Sequence, residues 1–322
     1  MTTNRRAFIA GCAALAAAGG TGPALAQADI VRLVVPFAPG GTSDIVARLL
    51  AAHAGPLASR LVVDNRAGAS GAIGLRTVAA ASSDGRTLLL GNISTQAIAP
   101  HLHADKGYPG LGAFTPVALT GRTTNLIAVH PGTGIRDWAD FARHMRRAST
   151  PATYATGSNG GSPHLSFELL RQRMGWKAQH VAYKGAGPMI GDLLGGHVQI
   201  AIDNLPALLP HVQRGALTPI AVTSARRWPG AEQIPTLAEL GVKDYDVTAW
   251  FGVFGPAGMS AATADPIARA FVEAQQTEAV RERFAALGAV ADPLTGEAFA
   301  RVLKAQSVLW RDVIREGDIR GS

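Results

Sequence analysis

Two glycine-rich stretches carry the residues most suited to chemistry. They are Phe37-Ala38-Pro39-Gly40-Gly41-Thr42-Ser43-Asp44 and Gly157-Ser158-Asn159-Gly160-Gly161-Ser162-Pro163-His164. Each follows an apolar run and precedes a helical pattern. Gly41 and Gly161 lie 120 residues apart, a domain-sized spacing rather than a solenoid period. A glycine-rich loop entering a helix aims several unpaired N–H groups at one point, and the helix dipole adds partial positive charge there. An anion is the natural occupant. Each N–H to carboxylate bond is worth roughly 1.5–3 kcal/mol. The hydroxyls of Thr42, Ser158 and Ser162 can add donors. Two such loops across a cleft would hold both ends of a diacid without lysine or arginine. One loop alone would read more simply as a turn; the matched pair favours binding.

Other constellations are weaker. Ser162, His164 and Asp203 form a conceivable hydrolase triad, but no nucleophile elbow surrounds any serine. Ser162 stands beside Pro163 at a helix start, where capping is the simpler job. His164 is open to capping, packing or donation to a ligand. Asp44 and Asp203 both sit at strand-to-helix junctions. For each, helix-start stabilisation and contact with a ligand, through water or through an ammonium, both stand. Neither loop ends in the lysine and hydroxyl of a P-loop. Gly68, Gly71 and Gly74 do not make a dinucleotide fingerprint; they suggest a tight turn before the helix that holds Leu75 and Val78. His101, His103 and Asp105 have loosely metal-like spacing without a second cluster, so an exposed loop is expected there. No metal and no cofactor is expected.

These residues need a frame of strands and helices. Strands are expected at residues 30–36, 61–64, 87–90, 126–130, 153–156, 179–183, 199–203 and 217–223. Helices are expected at 43–58, 73–81, 135–146, 163–174 and 189–194, and through most of the chain from 264 onward. The helix over 43–58 places Ile45, Val46, Leu49 and Leu50 on one face. Such alternation argues for α/β layers with largely parallel sheets.

Composition sets the class. The 322 residues are 47% hydrophobic and 16% charged, which is globular and large enough for more than one domain. The net charge is +7, with 30 basic and 23 acidic residues. Arg5 and Arg6 fall in an N-terminal export signal, residues 1–26, so the processed chain would carry +5. The remaining bases are scattered and lack an aromatic-and-basic motif, which argues against nucleic-acid binding. The signal has a twin-arginine start, an apolar stretch and the cleavage residues Ala24-Leu25-Ala26. Cys12 is the only cysteine, so no intrachain disulfide forms. It follows Ile9-Ala10-Gly11 in a lipobox-like run, but too close to Arg6 for a normal apolar region. Its expected fate is removal with the signal, and a lipid anchor is the alternative. The protein is expected in the periplasm as a monomer.

A family resemblance accumulates along the chain. Pro36 to Asp44 with Ala47-Arg48 resembles a first motif of the tripartite tricarboxylate transporter receptors, also called the Bug family. Val62-Val63-Asp64-Asn65-Arg66-Ala67-Gly68-Ala69-Ser70-Gly71 resembles the second, with Asp64 and Ala67 replacing a usual Glu and Pro. Ser83-Asp84-Gly85-Arg86-Thr87-Leu88, His164-Leu165, His180-Val181-Ala182-Tyr183-Lys184-Gly185 and Asp192-Leu193-Leu194-Gly195-Gly196 follow. Ala221-Val222-Thr223-Ser224, Pro235-Thr236-Leu237-Ala238-Glu239 and Trp250-Phe251-Gly252 complete the series. The resemblance implies a type II periplasmic-binding fold, a two-lobed Venus flytrap with two crossing strands. Lobe 1 would be residues 27–124 plus 251–322, and lobe 2 residues 125–250. The hinge would lie near 124–126 and 250–255. The implied function is capture of a small carboxylate for membrane permease subunits of a tripartite tricarboxylate transporter. Alternatives are a periplasmic sensor or co-receptor and, further off, a hydrolase. By motif position the first lobe would contribute Phe37, Ala38, Gly41, Thr42, Asp44 and Ser94. The second would contribute Ser158, Asn159, Gly160, Ser162, His164 and Asp203.

Overall fold

The computed structural model describes residues 30–104, 107–147, 151–317 and 319. The export signal, Cys12 and Asp105 lie outside the described residues. Strand β1 (Val31–Val35) is buried at every position but Arg32. It runs parallel to β2 (Leu61–Asn65) and β3 (Thr87–Asn92), and a strand buried on both faces reads as a continuous apolar run. The helix Thr42–His53 crosses from β1 to β2 and buries Val46, Ala47, Leu50 and Ala51. It stops short of the expected residue 58. Pro56 disfavours helical geometry at Gly55, and the chain continues as the tight turn Gly55–Arg60. The helix Ala72–Ala79 leads to β3.

Strand β4 (Phe114–Val129) has 16 residues and joins two sheets. Residues 114–124 run antiparallel to β9 (Thr248–Pro256), which pairs on its other side with β3. Residues 125–129 run antiparallel to β7 (Ile200–Asn204) and β8 (Thr218–Val222). In the second sheet β5 (Ala152–Thr156) runs parallel to β6 (Ala178–Ala182) and β7. The sheets are therefore mixed rather than largely parallel, because β4 and β9 oppose their neighbours. The sequence understated β4 because Pro116 and Gly121 punctuate it; both sit at register shifts. The chain returns beside Val247, whose N–H donates to the Thr223 carbonyl at 2.8 Å, and Thr248 then pairs with Thr124. Residues 250–255, expected at the crossing, pair with β3 and β4 inside the first sheet.

Buried hydroxyls tie the two crossings together. Thr124 Oγ1 lies 3.2 Å from Thr223 Oγ1 and accepts from the Ser224 N–H at 3.0 Å. Thr223 Oγ1 accepts from the Asn125 N–H at 3.0 Å and donates to the Val247 carbonyl at 2.7 Å. The helices Ala261–Gln276 and Glu278–Leu287 bury Phe271 and Phe284 in one apolar cluster with Val35 and Leu50. The helix Gly296–Glu316 contributes Phe299 and Trp310 to a larger cluster. That cluster also holds Leu89, Ile98 and Leu102 beside Phe141, Tyr154 and Phe167, so side chains from both sheets share it. The stretch of His101 and His103, expected as an exposed loop, enters the helical turn Ala99–Leu102, and Leu102 and His103 are buried. Packing explains the difference: Ile98 and Leu102 enter the core, and His101 Nε2 lies 2.7 Å from Ser307 Oγ.

Candidate ligand site at two helix starts

At the first loop, Gly40 adopts φ +85°, a conformation open to glycine at little cost. Its N–H donates to Asp44 Oδ2 at 2.9 Å. Gly41 precedes the helix with φ −83° and ψ 170° and no side-chain cap. The first intrahelical bond runs from the Ile45 N–H to the Gly41 carbonyl at 3.0 Å. The N–H groups of Thr42, Ser43 and Asp44 therefore point out of the helix start with no protein acceptor among the described residues. The Asp44 carboxylate is fully engaged in shaping the loop. Arg48 pairs with it, and Asn65 Nδ2 donates to Oδ1 at 3.0 Å and to the Phe37 carbonyl at 3.1 Å. Burial pushes the Asp44 carboxyl up, but the hydrogen bonds from Arg48, Gly40 and Asn65 outweigh it and hold it below its ordinary range. Phe37 is half-buried against the cluster that holds Val35 and Leu50, and Ala38 is exposed.

The second loop repeats this backbone. Gly160 has φ +71°, and its N–H donates to His164 Nδ1 at 3.1 Å. Gly161 precedes the helix Ser162–Met174 with φ −79° and ψ 168°. The Leu165 N–H donates to the Gly161 carbonyl at 3.0 Å. The expectation that Ser162 caps the helix is corrected: it is the first helical residue, one place too late, and no side chain caps that start. Its N–H donates instead to Ser94 Oγ at 3.0 Å. Pro163 has no N–H. Asp203 is buried below the loop and accepts from the Gly157 N–H at 3.0 Å and the Asn204 N–H at 2.7 Å. Desolvation raises its carboxyl to about 6. With Asp203 on two amides and His164 Nδ1 on a third, the histidine–aspartate bond a triad needs is absent. Ser158 and Asn159 are half-buried in the same loop.

His164 stacks on His180, with ring centroids 3.8 Å apart and 13° between planes. Thr156 Oγ1 lies 2.7 Å from His180 Nε2 and donates its own proton to the Ser158 carbonyl at 2.7 Å. His180 Nε2 must then be the donor to Thr156. Since His164 Nδ1 accepts, its proton sits on Nε2. Desolvation holds His164 near about 4, and desolvation with the neighbouring His164 holds His180 near about 3. Both rings are neutral at pH 7.

One turn touches both helix starts. Asn92 Nδ2 donates to Ser43 Oγ at 3.2 Å, while Ser94 Oγ accepts from the Ser162 N–H. The turn is locked by Thr95 N–H to Asn92 Oδ1 and Asn92 N–H to Thr95 Oγ1, both 3.0 Å. From below, Asn125 Nδ2 donates to Ser166 Oγ at 2.8 Å, and Ser166 Oγ to the Ser162 carbonyl at 2.6 Å. Sequence reasoning assigned no role to Asn65, Asn92, Asn125 or His180. Asn65 and His180 lay inside recognised motifs and Asn125 inside the expected hinge, which was the available signal; Asn92 gave none. Gly68 and Gly71 make the expected turn with φ +127° and +93°. Gly74 packs so closely on Pro36 that a Cβ there would lie 2.9 Å from its Cα. Among the described residues no group of three or more His, Cys, Asp or Glu side chains is placed to hold a metal.

Comparison with known proteins decides the family. Residues 46–319 match the family described as "Tripartite tricarboxylate transporter family receptor". The chain belongs to this receptor family. It is 33% identical to Protein BugT of Bordetella pertussis over 288 residues, which is 89% of this chain and 88% of that protein. Its fold is similar to Rpa4515 of R. palustris, solved with adipate, at 33% identity and TM-score 0.86, covering 90% of this chain and 98% of that one. It is likewise similar to MatC of Rhodopseudomonas palustris, solved with bound malate, at 28% identity and TM-score 0.82, covering 88% and 98%. The two-lobed α/β fold is that of periplasmic binding proteins such as BugD, at 28% identity and TM-score 0.84. This receptor's relatives are solute-binding proteins, not enzymes. No described helix is long and apolar enough to cross a membrane.

Proposed function

We propose that this receptor captures a small carboxylate between the loops 36–44 and 157–164 and delivers it to permease subunits of a tripartite tricarboxylate transporter. The two lobes would part at residue 124 and rejoin at residues 247–248. The observation that carries the reading is the turn 92–95, which bonds Ser43 at one helix start and Ser162 at the other. Both starts thereby lie within a few bonds of one point. Thr42, Ser43 and Asp44 supply backbone donors for a carboxylate. Ser94 and the loop of Ser158, Asn159 and Gly160 close over the remainder, with His164 behind them. Asp44 and Asp203 hold the loops in shape from below. A ligand that touches both loops binds the closed form more tightly than the open one, which is what closure requires. The adipate and malate in the solved relatives support the carboxylate class.

A thermal-shift screen of the processed protein over mono-, di- and tricarboxylates tests the reading. A true ligand at one hundred times its Kd should stabilise the protein by about 2.7 kcal/mol. No shift across the panel would reject carboxylate capture. Uptake in a deletion strain, beside a transcriptional reporter, separates delivery from signalling.

A further inference from the structure

The two loops share a backbone but do not offer the same chemistry. The first presents three adjacent helix-start amides without protein acceptors. In the second, the protein already uses most of the equivalent donors. Gly157 N–H goes to Asp203, Ser158 N–H to Thr156 Oγ1 at 3.4 Å, Gly160 N–H to His164 and Ser162 N–H to Ser94. Pro163 has no N–H to give. The backbone N–H groups of Gly161 and His164 remain.

Charge reinforces the contrast. The Asp203 carboxylate is bonded directly to the second loop. Arg171 is bound through two nitrogens to Glu168, which also accepts from the Tyr154 hydroxyl at 2.8 Å. Lys184 is exposed on the neighbouring turn, where the Gly185 N–H bonds the Gly157 carbonyl at 2.8 Å. What the second loop does hold is the stacked, uncharged His164. That residue is only 6% exposed, its Nδ1 is occupied by Gly160, and its Nε2–H has no acceptor among the described residues. One uncharged N–H donor gives a single hydrogen bond and no charge to offset a second buried anion, whereas a neutral oxygen needs no such offset. A second carboxylate there would be desolvated beside Asp203 with no buried lysine or arginine among the described residues, which is costly.

We infer that the receptor selects a monoanion: a carboxylate on the amides of Thr42, Ser43 and Asp44, and an uncharged amide, keto or hydroxyl oxygen received by His164 Nε2–H. This rests on the reading that a carboxylate bridges the two loops. Calorimetry at pH 7.5 on the processed protein tests it with matched probes: succinate against succinamate, adipate against adipamate, and terephthalate against terephthalamate, each beside its diamide. At the best-fitting length the monoamide should bind at least about tenfold tighter than the diacid, and Lys184→Met should leave that ratio unchanged. A diacid that binds as tightly as its monoamide overturns this inference and leaves carboxylate capture standing. A diacid preference that disappears in Lys184→Met overturns it too and names the cation responsible. A diamide equal to the monoamide, or no binding by any acid, overturns both readings.

Discussion

Loops 36–44 and 157–164 have the same turn, the same uncapped helix start and the same glycine N–H returned to a side chain four residues on. They differ in what surrounds them. Residues 38–40 are exposed, and a Cβ at Gly40 would meet nothing within 4 Å. In the second loop a Cβ at Gly160 would lie 2.4 Å from Leu102 Cδ2, and one at Gly161 would lie 2.2 Å from Ser158 Oγ. A shared glycine pattern therefore serves two purposes. In the first loop it leaves three amides without a protein acceptor among the described residues; in the second it lets Leu102 and Ser158 pack closely on the glycines.

The largest test of that contrast is an alanine at each left-handed glycine. Gly40→Ala should cost only backbone strain, about 1–2 kcal/mol. Gly160→Ala adds overpacking against Leu102 of about 1–3 kcal/mol more. Urea unfolding should show the larger loss for Gly160→Ala, and Leu102→Ala should recover part of it. Equal losses would mean that the second loop is no more tightly packed than the first.

The histidine pair gives a pH signature confined to the second loop. Folded values near about 4 for His164 and about 3 for His180 lie below the ordinary 6.5. The unfolded chain takes up more protons as pH falls below 6.5, so their contribution is complete above that pH and is lost on acidification. Asp203, raised to about 6, acts in the opposite sense: the folded state holds its proton between about 4 and 6. Two histidines against one aspartate leave a net fall in stability from pH 6 to pH 4. His180→Gln should flatten that slope, as read by unfolding midpoints across the range, and an unchanged slope would refute the assignment.

The smallest effect concerns the bond from the Ser162 N–H to Ser94. Ser94→Ala removes the acceptor for the Ser162 N–H and should cost about 1 kcal/mol, or about fivefold in affinity for a bound acid. Calorimetry should show the loss for any ligand that needs closure. If affinity is unchanged, Ser94 does not help hold the closed form.

The sequence revealed the frame and both loops because they depend on local pattern. The run Val31–Val35, the helix start at Thr42 and the glycine pairs all signal themselves within a few residues. The shared turn at Asn92 and Ser94 was not readable as a junction, because it depends on contacts 49 and 68 residues away. The uneven use of amides was hidden for the same reason. Gly157 and Ser162 look like free donors until Asp203 and Ser94 are folded against them. Ser162 next to Pro163 looked like a cap because a one-residue shift at a helix start cannot be seen from residue types alone.

Amide NMR of the processed protein during titration with adipamate or adipate tests the central claim most directly. The backbone resonances of Thr42, Ser43 and Asp44 should move downfield together at saturation, with Gly157 and Gly160 shifting far less. Saturable binding that leaves those three amides unmoved would show that the anion sits elsewhere.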